Sequence, residues 1–84
     1  MTYEITIKPK VIKSLEKINE PHYSNIKSAI FSLADNPRPI GYLKLKGRDG
    51  YRIRVGNYRI IYNIFDKILT IDVVNVGHRK DIYE

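Results

Sequence analysis

Eighty-four residues suffice for one domain whose modest core buries about 60% of the surface its unfolded chain exposes, and leave little room for a large enclosed cofactor pocket. Fifteen Lys and Arg against nine Asp and Glu give a net charge of +6, a field that favours polyanions such as nucleic acid, or an acidic protein partner. Cysteine is absent, which excludes disulfides and thiolate metal sites, and two histidines, His22 and His78, are too few for a zinc centre.

No apolar run approaches the ~18 residues of a membrane span, and the opening "MTYEITIKPK" lacks the basic-then-apolar pattern of a signal peptide. The reading is a single domain over residues 1–84, cytoplasmic, with no membrane association, no metal and no cofactor.

"YEITIK" alternates apolar and polar residues and predicts a first strand. Pro9 then suits the opening turn of a helix. In "PKVIKSLEKIN", Val11, Ile12, Leu15 and Ile18 make one apolar stripe at helical spacing. "NEP" breaks that helix and Pro21 opens another, in which Ile26, Ala29, Ile30 and Leu33 share a face. Pro37 and Pro39 in "DNPRP" end it. Helices joined this tightly predict an antiparallel hairpin.

After the loop-like "GYLKLKGRDG" come three strand signals in succession: "YRIRV", "NYRIIYNIF" and "ILTIDVVNV". Gly56-Asn57 and Asp66-Lys67 provide short hairpin turns between them. The predicted fold is α+β: a small antiparallel sheet in the order β-α-α-β-β-β, with the helical hairpin packed on one face. A tight turn at Asp66-Lys67 pairs Phe65 with Ile68, Asn57 with Val76 and Gly56 with Gly77.

Alternation places Tyr51, Ile53 and Val55 under the helices and Arg52 and Arg54 on the opposite face, roughly 7 Å apart by strand rise. Arg59 interrupts an otherwise apolar strand, which is costly unless it meets water or an anion. Between Arg38 and Arg59 lie seven cations (Arg38, Lys44, Lys46, Arg48, Arg52, Arg54 and Arg59) and a single acid, Asp49. Such a face is either a solvated surface kept soluble by charge or a phosphate-binding one. Lys44, Lys46 and Arg48 suit either reading, as guides for an anion. The planar fork of Arg52, Arg54 and Arg59 favours phosphate oxygens. The terminal "GHRKDIYE" leaves the last strand beside Tyr58 and Arg59. A bend at Gly77 would bring His78, Arg79 and Tyr83 over the same cations.

This inventory has no carboxylate pair and no Walker-type loop, and its serines (Ser14, Ser24, Ser28 and Ser32) all fall in the helices. Metal-free RNA cleavage fits it better. That reaction needs a base for the 2′-hydroxyl, an acid for the leaving 5′-oxygen and cations for the phosphorane charge.

"GYRIRVGNYRIIYNI" followed by "VVNVGHRKDIYE" resembles the RelE/ParE toxin superfamily, in its RelE-like branch, and "PKVIKSLEKIN" and "NPRPIGYLKLKG" resemble that family's helix and following loop. The resemblance implies a type II toxin: a ribosome-dependent mRNA endonuclease that cuts in the A site without metal. The expected products are a 2′,3′-cyclic phosphate and a 5′-hydroxyl, and the expected inhibitor is a RelB-like antitoxin. It implies phosphate contacts by Arg52, Arg54 and Arg59, transition-state stabilisation by Arg79, and a base or base-stacking role for Tyr83. The best-studied bacterial member has lysines where Arg52 and Arg54 stand and lacks a histidine at the place of His78. An imidazole is intrinsically the better base at neutral pH, so His78 and Tyr83 both stand as candidates for the base. The alternatives are a ParE-like gyrase poison without RNase activity and a non-catalytic nucleic-acid-binding module.

Overall fold

The computed structural model describes residues 2–80. Strand β1 (Glu4–Ile7) leads into helix α1 (Pro9–Glu16), helix α2 (His22–Ser32), a two-residue strand β2 (Leu43–Lys44), β3 (Tyr51–Val55), β4 (Tyr58–Phe65), a 3₁₀ turn (Asp66–Ile68) and β5 (Thr70–His78). Pro9 occupies the first turn of α1, where its missing N–H is not needed. Among the described residues no helix is long and apolar enough to cross a membrane.

The sheet has five strands in the order β1-β5-β4-β3-β2. The meander β2 to β5 is antiparallel, as the turn chemistry predicts. β1 joins parallel to β5, so the sheet is mixed, not wholly antiparallel. The helices supply the crossover that a parallel pairing requires. β2 is the strand not predicted; two residues of "GYLKLKG" pair with Tyr51 and Arg52.

Both helices cover one sheet face, α1 against β5 and α2 against β3 and β4. The core between them contains Val11, Ile26, Ile30 and Leu33 from the helical side and Ile53, Ile60, Tyr62, Ile71, Val73 and Val76 from the strands. Ile12, placed in the α1 stripe by its spacing, is 48% exposed. Helix α1 packs against β5, and Val11 is its one fully buried residue. Leu45 and Ile61, with Val74 against them, form a second, smaller apolar cluster.

Two features set the register of the last hairpin. The β4–β5 connection takes four residues, with Leu69 in the left-handed conformation at φ 49°, so Phe65 pairs with Thr70 and not with Ile68. Further along, Ile61 faces Asn75 but Tyr62 faces Val73, a bulge that leaves Val74 between the two pairs. Together they bring Gly77 opposite Arg59 and His78 opposite Tyr58, where a tight two-residue turn pairs Gly77 with Gly56.

Asp66 ties the hairpin to the chain around it. It accepts from Tyr3 Oη at 2.6 Å and from Arg38 Nη2 at 2.9 Å. The Arg38 and Tyr3 hydrogen bonds hold its carboxyl below the usual carboxylate range.

Candidate anion site on the cationic face

The β3–β4 hairpin turns through Gly56 and Asn57, with Gly56 at φ 59°, a conformation glycine adopts without strain. That turn pairs Arg54 directly with Arg59. Side chains so paired on one sheet face have Cβ atoms about 5 Å apart, and like charges there repel. Arg59 in turn stands opposite Gly77 in β5, which offers no side chain to crowd it. One residue past β5, the Arg79 N–H donates to the Asn57 carbonyl at 2.8 Å, which carries the strand alignment out to the turn. Arg54, Arg59 and Arg79, with Gly56, Asn57 and Tyr58, line a depression of about 90 Å³. It has room for a phosphate-sized group and is far smaller than a cofactor pocket. Three arginines lining such a volume give it the cationic character that suits a phosphate oxygen cluster.

Arg52 shares the face but differs in setting. It is 7% exposed, stands opposite Ile61, and its Nε is buried, as is the Nε of Arg59. Arg54 is exposed. The two predicted neighbours are therefore one guanidinium stem set into the sheet and one presented outward. Both also line a larger hollow of about 480 Å³ with Pro39, Ile40 and α2, on the stretch of β3 that β2 is too short to pair.

Lys44 is engaged in its own loop. Its Nζ donates to the carbonyls of Arg48 at 3.1 Å and Leu45 at 3.5 Å, and lies 5.4 Å from the centre of the Tyr51 ring. Lys46 and Arg48 are exposed in the same loop. Tyr83 lies outside the described residues.

His78 is where the sequence and the structure part. No bend occurs at Gly77; β5 runs straight through it to His78. Because the bulge adds one residue, Val76 and His78 fall on the helix side, and Gly77 and Arg79 on the cationic side. The His78 ring meets Tyr58 edge-on, with centroids 5.5 Å apart and planes at 77°. On Tyr58 sits His22, the first residue of α2, at 5.4 Å. His78 Nδ1 accepts the Lys80 N–H at 3.2 Å. Arg79 therefore joins Arg54 and Arg59, whereas His78 joins Tyr58 and His22 across the sheet.

Sequence reasoning missed a second aromatic series. Tyr42, Tyr51 and Tyr62 follow one another at 6.1 and 5.9 Å, with Arg38 5.9 Å from the Tyr51 ring. Tyr51 and Tyr62 are cross-strand partners, so the hairpin register alone could have found that pair. Among the described residues no group of three or more His, Asp or Glu comes together to hold a metal ion.

The family described as "ParE toxin of type II toxin-antitoxin system, parDE" matches residues 5–83 of the chain. A RelE-like toxin protein of Escherichia coli is 31% identical over 99% of the chain and 92% of its own length. The mRNA interferase toxin RelE of E. coli K12 is 26% identical over 95% of the chain and 86% of its own length. Among solved structures, RelE in the RelE–RelB complex from Pyrococcus horikoshii superposes with a TM-score of 0.85 at 31% identity, covering 98% of this chain and 100% of that one. The RelB–RelE complex from Methanococcus jannaschii gives 0.75 at 30% identity, with 94% and 95% covered.

Proposed function

We propose a ribosome-dependent mRNA endonuclease, on the premise that the chain belongs to the ParE toxin family of type II toxin–antitoxin systems, in the RelE-like branch of the RelE/ParE superfamily. The observation that carries the reading is the meeting of Arg54, Arg59 and Arg79 around one phosphate-sized depression.

In the proposed reaction the scissile phosphate of mRNA in the ribosomal A site lies against these three arginines. Arg52 supports them from within the sheet, and Lys46 and Arg48 guide the strand from outside. The 2′-oxygen attacks phosphorus as its proton leaves to a base. The P–O5′ bond breaks, and the 5′-oxygen departs beside Arg79 and takes a proton from solvent water, while the base returns the 2′-hydroxyl proton to solvent. The products are a 2′,3′-cyclic phosphate and a 5′-hydroxyl. All of the arginine work is electrostatic: a guanidinium keeps its proton, so it stabilises the pentavalent charge and does not shuttle protons. Tyr83 is the proposed base, on family resemblance. Cations at this place interact more strongly with the pentavalent transition state than with the singly charged ground-state phosphodiester, because the transition state carries more negative charge.

The relatives solved in complex are bound to RelB. By charge complementarity we propose a RelB-like antitoxin with acidic or apolar segments for this face. A target on the ribosome places the protein in the cytoplasm. The matching family bears the ParE name, so the competing reading is a gyrase poison.

Primer extension on programmed ribosomes decides between them. Wild-type protein should cut mRNA in the A site, Arg79→Ala should lower the single-turnover rate about 10²- to 10³-fold, and Tyr83→Phe should lower it sharply as well. Trapped gyrase–DNA complexes with no ribosome-dependent cut would overturn the assignment.

A further inference from the structure

We propose that His78 is a positioning residue: its imidazole clamps the chain on both sides of Arg79 and takes no proton from RNA. The inference rests on the endonuclease reading above.

Arg79 is the first residue beyond β5, and a residue just past a strand end is free to fray unless something ties it. Two hydrogen bonds do so here. The Arg79 N–H is held by the Asn57 carbonyl at 2.8 Å, on the turn that also carries Arg54 and Arg59 into register. The next N–H, that of Lys80, is held by His78 Nδ1 at 3.2 Å. A side-chain acceptor bonded to the N–H two residues on is the geometry in which Asn and Asp side chains fix turns.

The ring is fixed in its turn. It stands edge-on to Tyr58, its direct partner across the sheet, and His22 of α2 lies against Tyr58. The end of β5 is thereby coupled to the helical layer, on the side of the sheet away from the arginines.

This arrangement leaves the imidazole no role as a base. To accept from Lys80, Nδ1 must be bare, so the neutral ring carries its proton on Nε2. One nitrogen is engaged and the other already protonated. The ring also faces away from the depression that the three arginines line. What His78 contributes is the position of the Arg79 guanidinium, and a misplacement of about 1 Å there costs up to 10²-fold in rate.

The test uses His78→Ala and His78→Asn in the full chain. Asparagine offers an oxygen acceptor at about the place of Nδ1 and cannot act as a base at neutral pH. In single-turnover A-site cleavage, His78→Ala should fall about 10- to 100-fold and His78→Asn should recover most of that loss. Nitrogen NMR on the isolated protein should show the Nε2–H tautomer at His78, and slow exchange of the Lys80 amide in wild type and His78→Asn but not in His78→Ala. His78→Asn as inactive as His78→Ala while both melt like wild type would overturn the proposal in favour of a base. His78→Ala cleaving at the wild-type rate, or an Nδ1–H tautomer, would overturn it outright. A wild-type protein that does not cleave on ribosomes defeats the endonuclease reading and the catalytic half of this one with it. The NMR arm then still decides whether the clamp exists.

Discussion

Tyr62→Phe should weaken the fold at neutral pH and strengthen it relative to wild type in strong alkali. Tyr62 is 0% exposed, and its hydroxyl donates to the Pro37 carbonyl at 2.7 Å, pinning the loop after α2 to the sheet. Removing the hydroxyl leaves a buried carbonyl without that partner, a loss of about 1.5 kcal/mol at pH 7, from a range of roughly 1 to 3. For a domain of this size that is a fall in Tm of about 6–12 °C. Burial, with smaller contributions from Tyr42 and Tyr51, pushes the wild-type phenol from 10.0 to about 12. The raised value means no penalty below pH 10, where the phenol is neutral in both folded and unfolded chains. Above pH 10 the unfolded chain ionises first, and the folded state loses about 1.4 kcal/mol by pH 11. Phenylalanine has no proton to lose. The difference between the two proteins should therefore shrink to nearly zero at about pH 11. Urea denaturation at pH 7 and pH 11, followed by circular dichroism, measures it, and titrations that do not couple to Tyr62 cancel between the pair. The same difference at both pH values would refute the account of Tyr62 as a desolvated donor.

Ile60→Ala removes a side chain that is 0% exposed at the centre of the core. The cost should be about 2–5 kcal/mol, against a total of about 4–13 kcal/mol expected for a chain of this length, so a greatly lowered urea midpoint is expected. Gly50→Ala should destabilise despite adding only one methyl. Gly50 has φ 123°, and a Cβ there would lie 3.2 Å from Leu45 Cδ1 and 3.4 Å from Asn63 Oδ1; a lower Tm with unchanged circular dichroism is the expected reading. Asp66→Asn should alter acid sensitivity. Its carboxyl is held low by Arg38 and then Tyr3, so the contribution is present above the usual carboxylate range and lost as pH falls through and below it. Wild type should lose more stability than the variant between pH 7 and pH 3, as thermal melts would record.

The strands and helices were legible because their periodicities are strong and their boundaries carry Pro or Gly. Pro9, Pro37 and the Gly56-Asn57 turn each mark a boundary near where the structure has one. The facing of Arg52 and Arg54 followed from alternation alone, and the pairing of Arg54 with Arg59 follows from a two-residue turn at Gly56-Asn57. What stayed hidden depended on contacts distant in sequence. Leu69 in a left-handed conformation has no signature, since a β-branched or γ-branched residue there reads simply as strand. The parallel partnership of β1 with β5 is a tertiary choice that an isolated alternating segment does not encode. Lys44 reads as a free cation until the carbonyls of its own loop are seen around it. The place of His78 was inaccessible for a more specific reason: a bulge near Val74 has no sequence marker when the extra residue is another valine.

That bulge makes the last strand sensitive to length as well as to composition. Substitutions between Ile71 and Val76 leave the facing of the residues beyond them unchanged, even where they cost core packing at Ile71, Val73 or Val76. Adding or removing a single residue there would exchange inside for outside over everything that follows, carrying Arg79 toward the helices and His78 toward the arginines. Changes of two residues would preserve the arrangement. Drift in the length of this segment is thus confined to even steps, and the odd residue already present acts as the parity bit of the site.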